Sequence, residues 1–272
     1  MHKNRRRFWI IVLVVGVLVF IGIGVYAATT LLEYKKDREE YNELRSAKRT
    51  EVGVSPTAYD GPLFVTAPSD DGSVSPEGTL APLPSRQSLI DFASLQSINP
   101  DCIGWITLYG TNIDYPIVQG TDDTHYLTHS FRNEASKSGC VFLGQLYDKG
   151  FSGANNVLYG HHMKDGSMFH DLVLYKEEEF FRQNLTGTLY TPEATYALTV
   201  FSAYVVDSDG QFQQTGFNDP DLANTFYASM AARSTVAAPF VPEWPDQILT
   251  LVTCTYEYTD ARYVVHALMT PI

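Results

Sequence analysis

The pattern of apolar and polar positions changes character several times along the chain. Residues 1–7 are basic, residues 8–28 are apolar without one charge, and residues 29–50 mix many charges with scattered Leu and Tyr. Residues 51–87 are rich in Pro, Ser, Gly and Asp, and from residue 88 short apolar runs alternate with turn residues. The uncharged run is close to the roughly 20 residues a helix needs to cross a bilayer, whereas a cleavable signal has an apolar core of about 7–15. The small residues of Tyr26-Ala27-Ala28-Thr29 offer the alternative of a cleavage site. Arg5, Arg6 and Arg7 precede the run, while Lys35, Lys36 and Arg38 beyond it are diluted by Glu33, Asp37, Glu39 and Glu40. The positive-inside rule then predicts a cytoplasmic flank at 1–7, a single-pass signal anchor at 8–28, and the rest of the chain outside the cell membrane.

Residues 29–50 are compatible with a stalk helix, since no sustained heptad argues for a dimerising coil. The composition of 51–87 cannot bury a core and predicts a flexible linker at which protease would free the domain. The folded domain is expected at 88–272, opening with a short helix over 89–95 capped by Ser88. Strands are predicted at 104–108, 114–118, 140–143, 156–159, 186–190, 194–203, 246–254 and 261–269, a spacing that points to a mainly β barrel or sandwich. Helical interruptions are expected at 169–175 and at 219–233. The second has Asp219 as N-cap, Pro220 at its first position, and Leu222, Phe226 and Met230 as its buried face.

Charge narrows the function. Residues 51–272 hold 9 Lys and Arg against 26 Asp and Glu, so nucleic-acid binding, which needs a basic footprint, is excluded. Three cysteines, Cys102, Cys140 and Cys254, leave at least one unpaired. An odd Cys in an exported chain is an intermolecular bond or a reactive thiol; pairing of Cys102 with Cys140 stays open.

The last two strands carry the candidate chemistry. A turn centred on Tyr258 sets Cys254 directly opposite Arg262, where Cβ atoms lie about 4.5–5.5 Å apart. Arg262 is also the only Lys or Arg after Arg233. A thiolate is a strong nucleophile, a histidine can hold its proton and later give it to a leaving amine, and a guanidinium presents a rigid fork to an oxyanion. His161 and His162 follow a strand at Gly160 and project over a barrel end. His266 shares a strand face with Arg262 but reads as a structural histidine; His2 lies in the basic flank, His125 and His129 in the stretch 123–129, and His170 after Phe169. A metal site on His161 and His162 is disfavoured because adjacent side chains diverge and no further ligand spacing is present.

These segments resemble those of a known family. Thr250-Leu251-Val252-Thr253-Cys254 is similar to the T-L-x-T-C signature of sortases, with Arg262 at the place of their active-site arginine. Tyr159-Gly160-His161-His162-Met163-Lys164-Asp165-Gly166-Ser167-Met168-Phe169 resembles the histidine segment of class B sortases. Gly104-Trp105-Ile106 and the stretch from Gly110 to Gln119 match as well, so the resemblance spans residues 88–272. It implies a closed eight-stranded sortase-type barrel with N-terminal helices, a helix inserted before the Cys strand and a transmembrane helix. The implied activity is that of a cysteine transpeptidase of Gram-positive bacteria, which cuts a C-terminal sorting signal after a Thr and passes the acyl group to an amine. By the family's pattern Cys254 is the nucleophile, His161 the acid/base and Arg262 the oxyanion stabiliser. Implied partners are surface proteins or pilins with a sorting signal and an amine of a peptidoglycan precursor or a pilin Lys; no metal or organic cofactor is implied. A hydrolytic cysteine peptidase and a non-catalytic surface-binding barrel are the rival readings.

Overall fold

The computed structural model describes residues 2–46, 48, 89–208, 210–217, 219–255 and 260–272. The expected linker at 51–87 and the turn around Tyr258 lie outside the described residues. Eight strands close into a barrel: β1 (Cys102–Leu108), β2 (Asp114–Val118), β3 (Val141–Leu143), β4 (Asn155–Tyr159), β5 (Thr186–Tyr190), β6 (Thr195–Asp207), β7 (Gln247–Cys254) and β8 (Ala261–Pro271). Their order around the barrel is β1-β2-β3-β4-β7-β8-β6-β5. The β2–β3 and β4–β7 pairs are parallel and the rest antiparallel. Closure removes the unpaired edges that an open sheet would leave.

Alternation along β7 and β8 builds two cores. Leu249, Leu251, Val265 and Ala267 join Trp105, Ile106 and Leu158 in one apolar cluster. Their neighbours Ile248, Val252 and Val264 join Phe226, Tyr227 and Met230 in a second one, on helix α5 (Pro220–Arg233). That α5 lies between β6 and β7 follows the sequence expectation, as do its Asp219 cap, which accepts from the Asp221 N–H, and its Pro at the first turn. Its buried face differs. Leu222 is 56% exposed, and the packed residues are Ala223, Phe226, Tyr227 and Met230. Steps of four drift by about 40° each on a helix of 3.6 residues per turn, so the i, i+3, i+4, i+7 set makes the straighter stripe.

The N-terminal helices are also present. One helix, α1 (His2–Arg45), runs without a break through the apolar segment and the expected stalk. An 18-residue window in it, of mean hydropathy 2.5 and with none of it buried, has the length and composition of a membrane span. Its C-terminal turns lie against the barrel. Tyr41 and Leu44 are buried, Tyr41 stands edge-on to Tyr115 at 5.1 Å, and its hydroxyl donates to the Gly139 carbonyl at 2.6 Å. Asp37 accepts from the Ser136 and Ser138 hydroxyls, and Glu40 accepts from the Arg132 N–H at 3.0 Å. Burying side chains such as Tyr41 and Leu44 contributes about 1.5–3 kcal/mol each, more than a solvated stalk would gain. Helix α2 (Phe92–Ile98) starts later than expected, because Asp91 caps it by accepting from the Ser94 N–H at 3.1 Å; the expected cap, Ser88, lies outside the described residues. The region of 169–175 forms a 3-10 turn, His170–Lys176, followed by α4 (Glu178–Gln183), whose first turn uses the acidic run.

His266 is a structural residue, as the sequence suggests. It is fully buried, with Nδ1 2.9 Å from Thr250 Oγ1 and Nε2 3.1 Å from the Tyr204 hydroxyl. Burial, aided by the Arg233 charge, pushes its pKa down from 6.5 to about 3. The unfolded chain therefore binds a proton near pH 6.5 that the folded protein refuses until about pH 3. The stability associated with neutral His266 is complete above the upper value and is lost as pH falls through the window, at no more than about 1.4 kcal/mol per pH unit. Urea unfolding between pH 7 and pH 5 should show this loss, and His266→Gln should remove its share of the slope.

Candidate active site

Strand pairing alone brings the candidate residues to one rim of the barrel. In the parallel β4–β7 pair, Tyr159 stands beside Val252. Two residues further on each strand path come His161 and Cys254, so both leave at the same end. In the antiparallel β7–β8 pair, Cys254 is opposite Arg262, the register expected from the turn. The same outer face carries the pairs Thr250–His266 and Val252–Val264, both buried, before it reaches exposed Cys254. The sequence thus switches from a covered row to an accessible thiol at the last position of β7. Cys102 and Cys140 are buried free thiols, and burial raises Cys102 to about 12 and Cys140 further still.

His161, Cys254 and Arg262 line one groove of about 370 Å³ together with Asp123, Leu127, Phe142, Tyr159, Phe212 and Gln213. His161 is set by its backbone and by its ring. Its carbonyl accepts the Phe169 N–H at 2.9 Å, and its Nε2 lies 2.7 Å from the Leu127 carbonyl. A carbonyl can only accept, so Nε2 carries the hydrogen, and in the neutral ring Nδ1 is left as the proton acceptor. The turn that delivers His161 requires Gly160: a Cβ there would lie 2.8 Å from ring carbons of Phe169. Arg262 Nη1 donates to the Ala261 carbonyl at 3.1 Å, which ties one arm of the fork to the strand.

His162 turns the other way. Its Nδ1 lies 3.0 Å from the carbonyl of Cys254, and its ring stands edge-on to His170 at 4.5 Å. Burial lowers its pKa below the ordinary histidine value. The groove lining is partly aromatic: Tyr159 stacks on Phe142 at 5.4 Å and its hydroxyl accepts from Gln213 Nε2 at 3.1 Å. Burial pushes the Tyr159 phenol to about 12, so it stays neutral.

Sequence reasoning did not single out Asp123, Leu127, Phe142, Tyr159, Phe212 or Gln213. The carriers of Leu127 and of Phe212 and Gln213, the short α3 (His125–Thr128) and the 3-10 turn Gln211–Gln213, have no periodicity. Only the barrel's closure carries them to the rim.

The Sortase domain family matches residues 106–270. The chain belongs to the sortase family. Its curated relatives are sortase B proteins: that of Listeria monocytogenes is 32% identical over 177 residues, covering 64% of this chain and 72% of the relative. Sortase B of Staphylococcus aureus is 27% identical over 266 residues, 97% of each chain. Among solved structures, the S. aureus sortase B crystal structure superposes with a TM-score of 0.63 at 31% identity, over 66% of this chain and 87% of that one. Sortase B from Bacillus anthracis in complex with AAEK1 gives 0.69 at 29% identity, over 89% and 100%. The chain is thus a sortase of the B type, its barrel is the sortase barrel, and the family supports a cysteine transpeptidase.

Proposed function

We propose that this sortase is a membrane-anchored transpeptidase in which Cys254 is the nucleophile, His161 the general acid/base and Arg262 the oxyanion stabiliser. The observation that carries the reading is the register of β4, β7 and β8, which sets an exposed thiol, an imidazole and a guanidinium around one groove.

The Cys254 thiolate attacks the carbonyl of the Thr that ends the recognised motif, and the C–S bond forms as the carbonyl becomes an oxyanion. Arg262 faces that oxygen with a fork already held at one arm, which is the preorganisation such stabilisation requires. His161 gives its proton to the departing amine, the C–N bond breaks, and a thioester remains on Cys254. An incoming amine attacks the thioester, loses a proton to His161 and expels the thiolate, so the enzyme returns unchanged. The reacting groups share the groove with the stacked rings of Phe142 and Tyr159, a lining that suits a peptide better than a compact polar metabolite. The donor is a surface protein or pilin with a C-terminal sorting signal, and the acceptor is an amine of a peptidoglycan precursor or a pilin Lys. Helix α1 supplies the membrane anchor, the domain at 88–272 lies outside the cell, and residues 1–7 lie in the cytoplasm.

The test uses the full chain in detergent with a peptide library carrying a fixed Thr, and hydroxylamine as amine. A Thr hydroxamate together with a thioester adduct on Cys254, read by mass spectrometry, is expected. An adduct on Cys140, or cleavage without hydroxamate, would overturn the assignment.

A further inference from the structure

His162 is not one of the three residues given chemical roles above, yet it makes a direct contact with the nucleophile's own backbone. Its Nδ1 lies 3.0 Å from the Cys254 carbonyl. A carbonyl offers no hydrogen, so Nδ1–H is the donor whatever the charge of the ring. The ring is itself held in place. His162 pairs with Met168 across an isolated bridge, and it stands edge-on to His170, whose Nδ1 lies 2.8 Å from the Met163 carbonyl.

The contact does not end at Cys254. The next group along the chain is the Thr255 N–H, which donates to the Ala261 carbonyl at 3.1 Å. That same carbonyl accepts from Arg262 Nη1 at 3.1 Å. A continuous path of hydrogen bonds therefore runs from His162 through the Cys254–Thr255 peptide and the Ala261 carbonyl to the guanidinium. It closes immediately before and after residues 256–259, at the point where β7 and β8 lose their ladder. Because a peptide unit is planar, fixing its C=O and N–H together fixes the torsion that carries the chain away from Cys254.

We propose that His162 is a positioning residue of this sortase: its Nδ1–H pins the Cys254–Thr255 peptide and so sets the placement of the thiol relative to the Arg262 fork. The inference rests on the catalytic roles given to Cys254 and Arg262 above. His162 neither touches substrate nor moves a proton in the reaction; it acts through Cys254. The shared rim explains why two histidines stand side by side: their rings diverge, one toward Leu127 over the groove and one back onto the strand that carries the thiol.

The experiment compares His162→Phe, His162→Asn and His162→Gln in the full chain in detergent, with the hydroxylamine assay and its best library peptide. Phe keeps the ring's bulk without a donor, Asn can place an N–H where Nδ1 stands, and Gln reaches toward the Nε2 position instead. A hydrogen bond of this kind contributes about 0.5–1.5 kcal/mol, so kcat in His162→Phe should fall roughly 3- to 10-fold. KM should stay within about twofold, because the binding groove keeps its lining. His162→Asn should recover most of the loss and His162→Gln should not. Unchanged kcat in His162→Phe, or His162→Asn no better than His162→Phe, would overturn the proposal. Should His162→Phe fail to fold by circular dichroism, the Asn-against-Gln comparison decides alone, and equal rates overturn it. Cys254→Ala run in parallel separates the two readings: turnover retained there defeats the catalytic assignment, whereas a dead Cys254→Ala beside a fully active His162→Phe defeats only this inference.

Discussion

Cys254→Ala should abolish peptide cleavage and thioester formation together while leaving the fold intact. The side chain is exposed at the last position of β7, so its loss opens no cavity and removes no core contact. The effect is expected to be complete at the level of covalent chemistry, since no other thiol can replace it. Cys102 and Cys140 are buried, and burial holds both in the protonated form that does not attack. Cys102→Ala and Cys140→Ala should therefore keep turnover per folded molecule, at a stability cost of the order seen for small core truncations. Steady-state turnover, adduct mass and thermal unfolding measured on all three variants check this. Residual thioester in Cys254→Ala would place the nucleophile elsewhere.

The second large effect concerns His161 and Arg262. Loss of a general acid/base typically costs about 10²–10⁴-fold in rate, and loss of an oxyanion donor about 10²–10³-fold in kcat. His161→Ala and Arg262→Ala should each fall in these ranges. Arg262→Lys is the sharper variant. Lysine restores a positive charge at the same register position but has no planar fork, so it cannot keep one arm on the Ala261 carbonyl while another meets the substrate. Its kcat should stay close to that of Arg262→Ala. Near-normal turnover in Arg262→Lys would show that charge alone suffices at this position.

The barrel strands were legible because β-branched and aliphatic runs are bounded by turn residues, and the Cys254–Arg262 register followed from the length of the turn between them. The α5 cap was legible from Asp219-Pro220, a local signal. Its buried face was read one residue off, because Leu222 is more apolar than Ala223 while helix geometry favours the latter. The groove's remaining lining was not legible. Leu127 and Gln213 reach the site through long-range closure, and nothing in their own neighbourhoods marks them. The role of His162 could not be read either, since adjacency in sequence says which way two side chains diverge but not what the second one meets.

The seating of α1 has a consequence for chain connectivity. Lys48 pairs with Ile90 across an antiparallel bridge, so the two ends of the intervening stretch meet at one place on the domain. The contacts that hold α1 and Lys48 all lie outside that stretch: Tyr41 on Tyr115, Asp37 on Ser136 and Ser138, Arg132 on Glu43, and Lys48 on Asp114. A single cut between residues 48 and 90 would sever the polypeptide without removing any of them. The product is a nicked, two-fragment protein in which the anchor is retained as a non-covalent subunit. Shedding the barrel from such a species requires the helix to undock, and its lifetime is then set by a dissociation rate rather than by the protease.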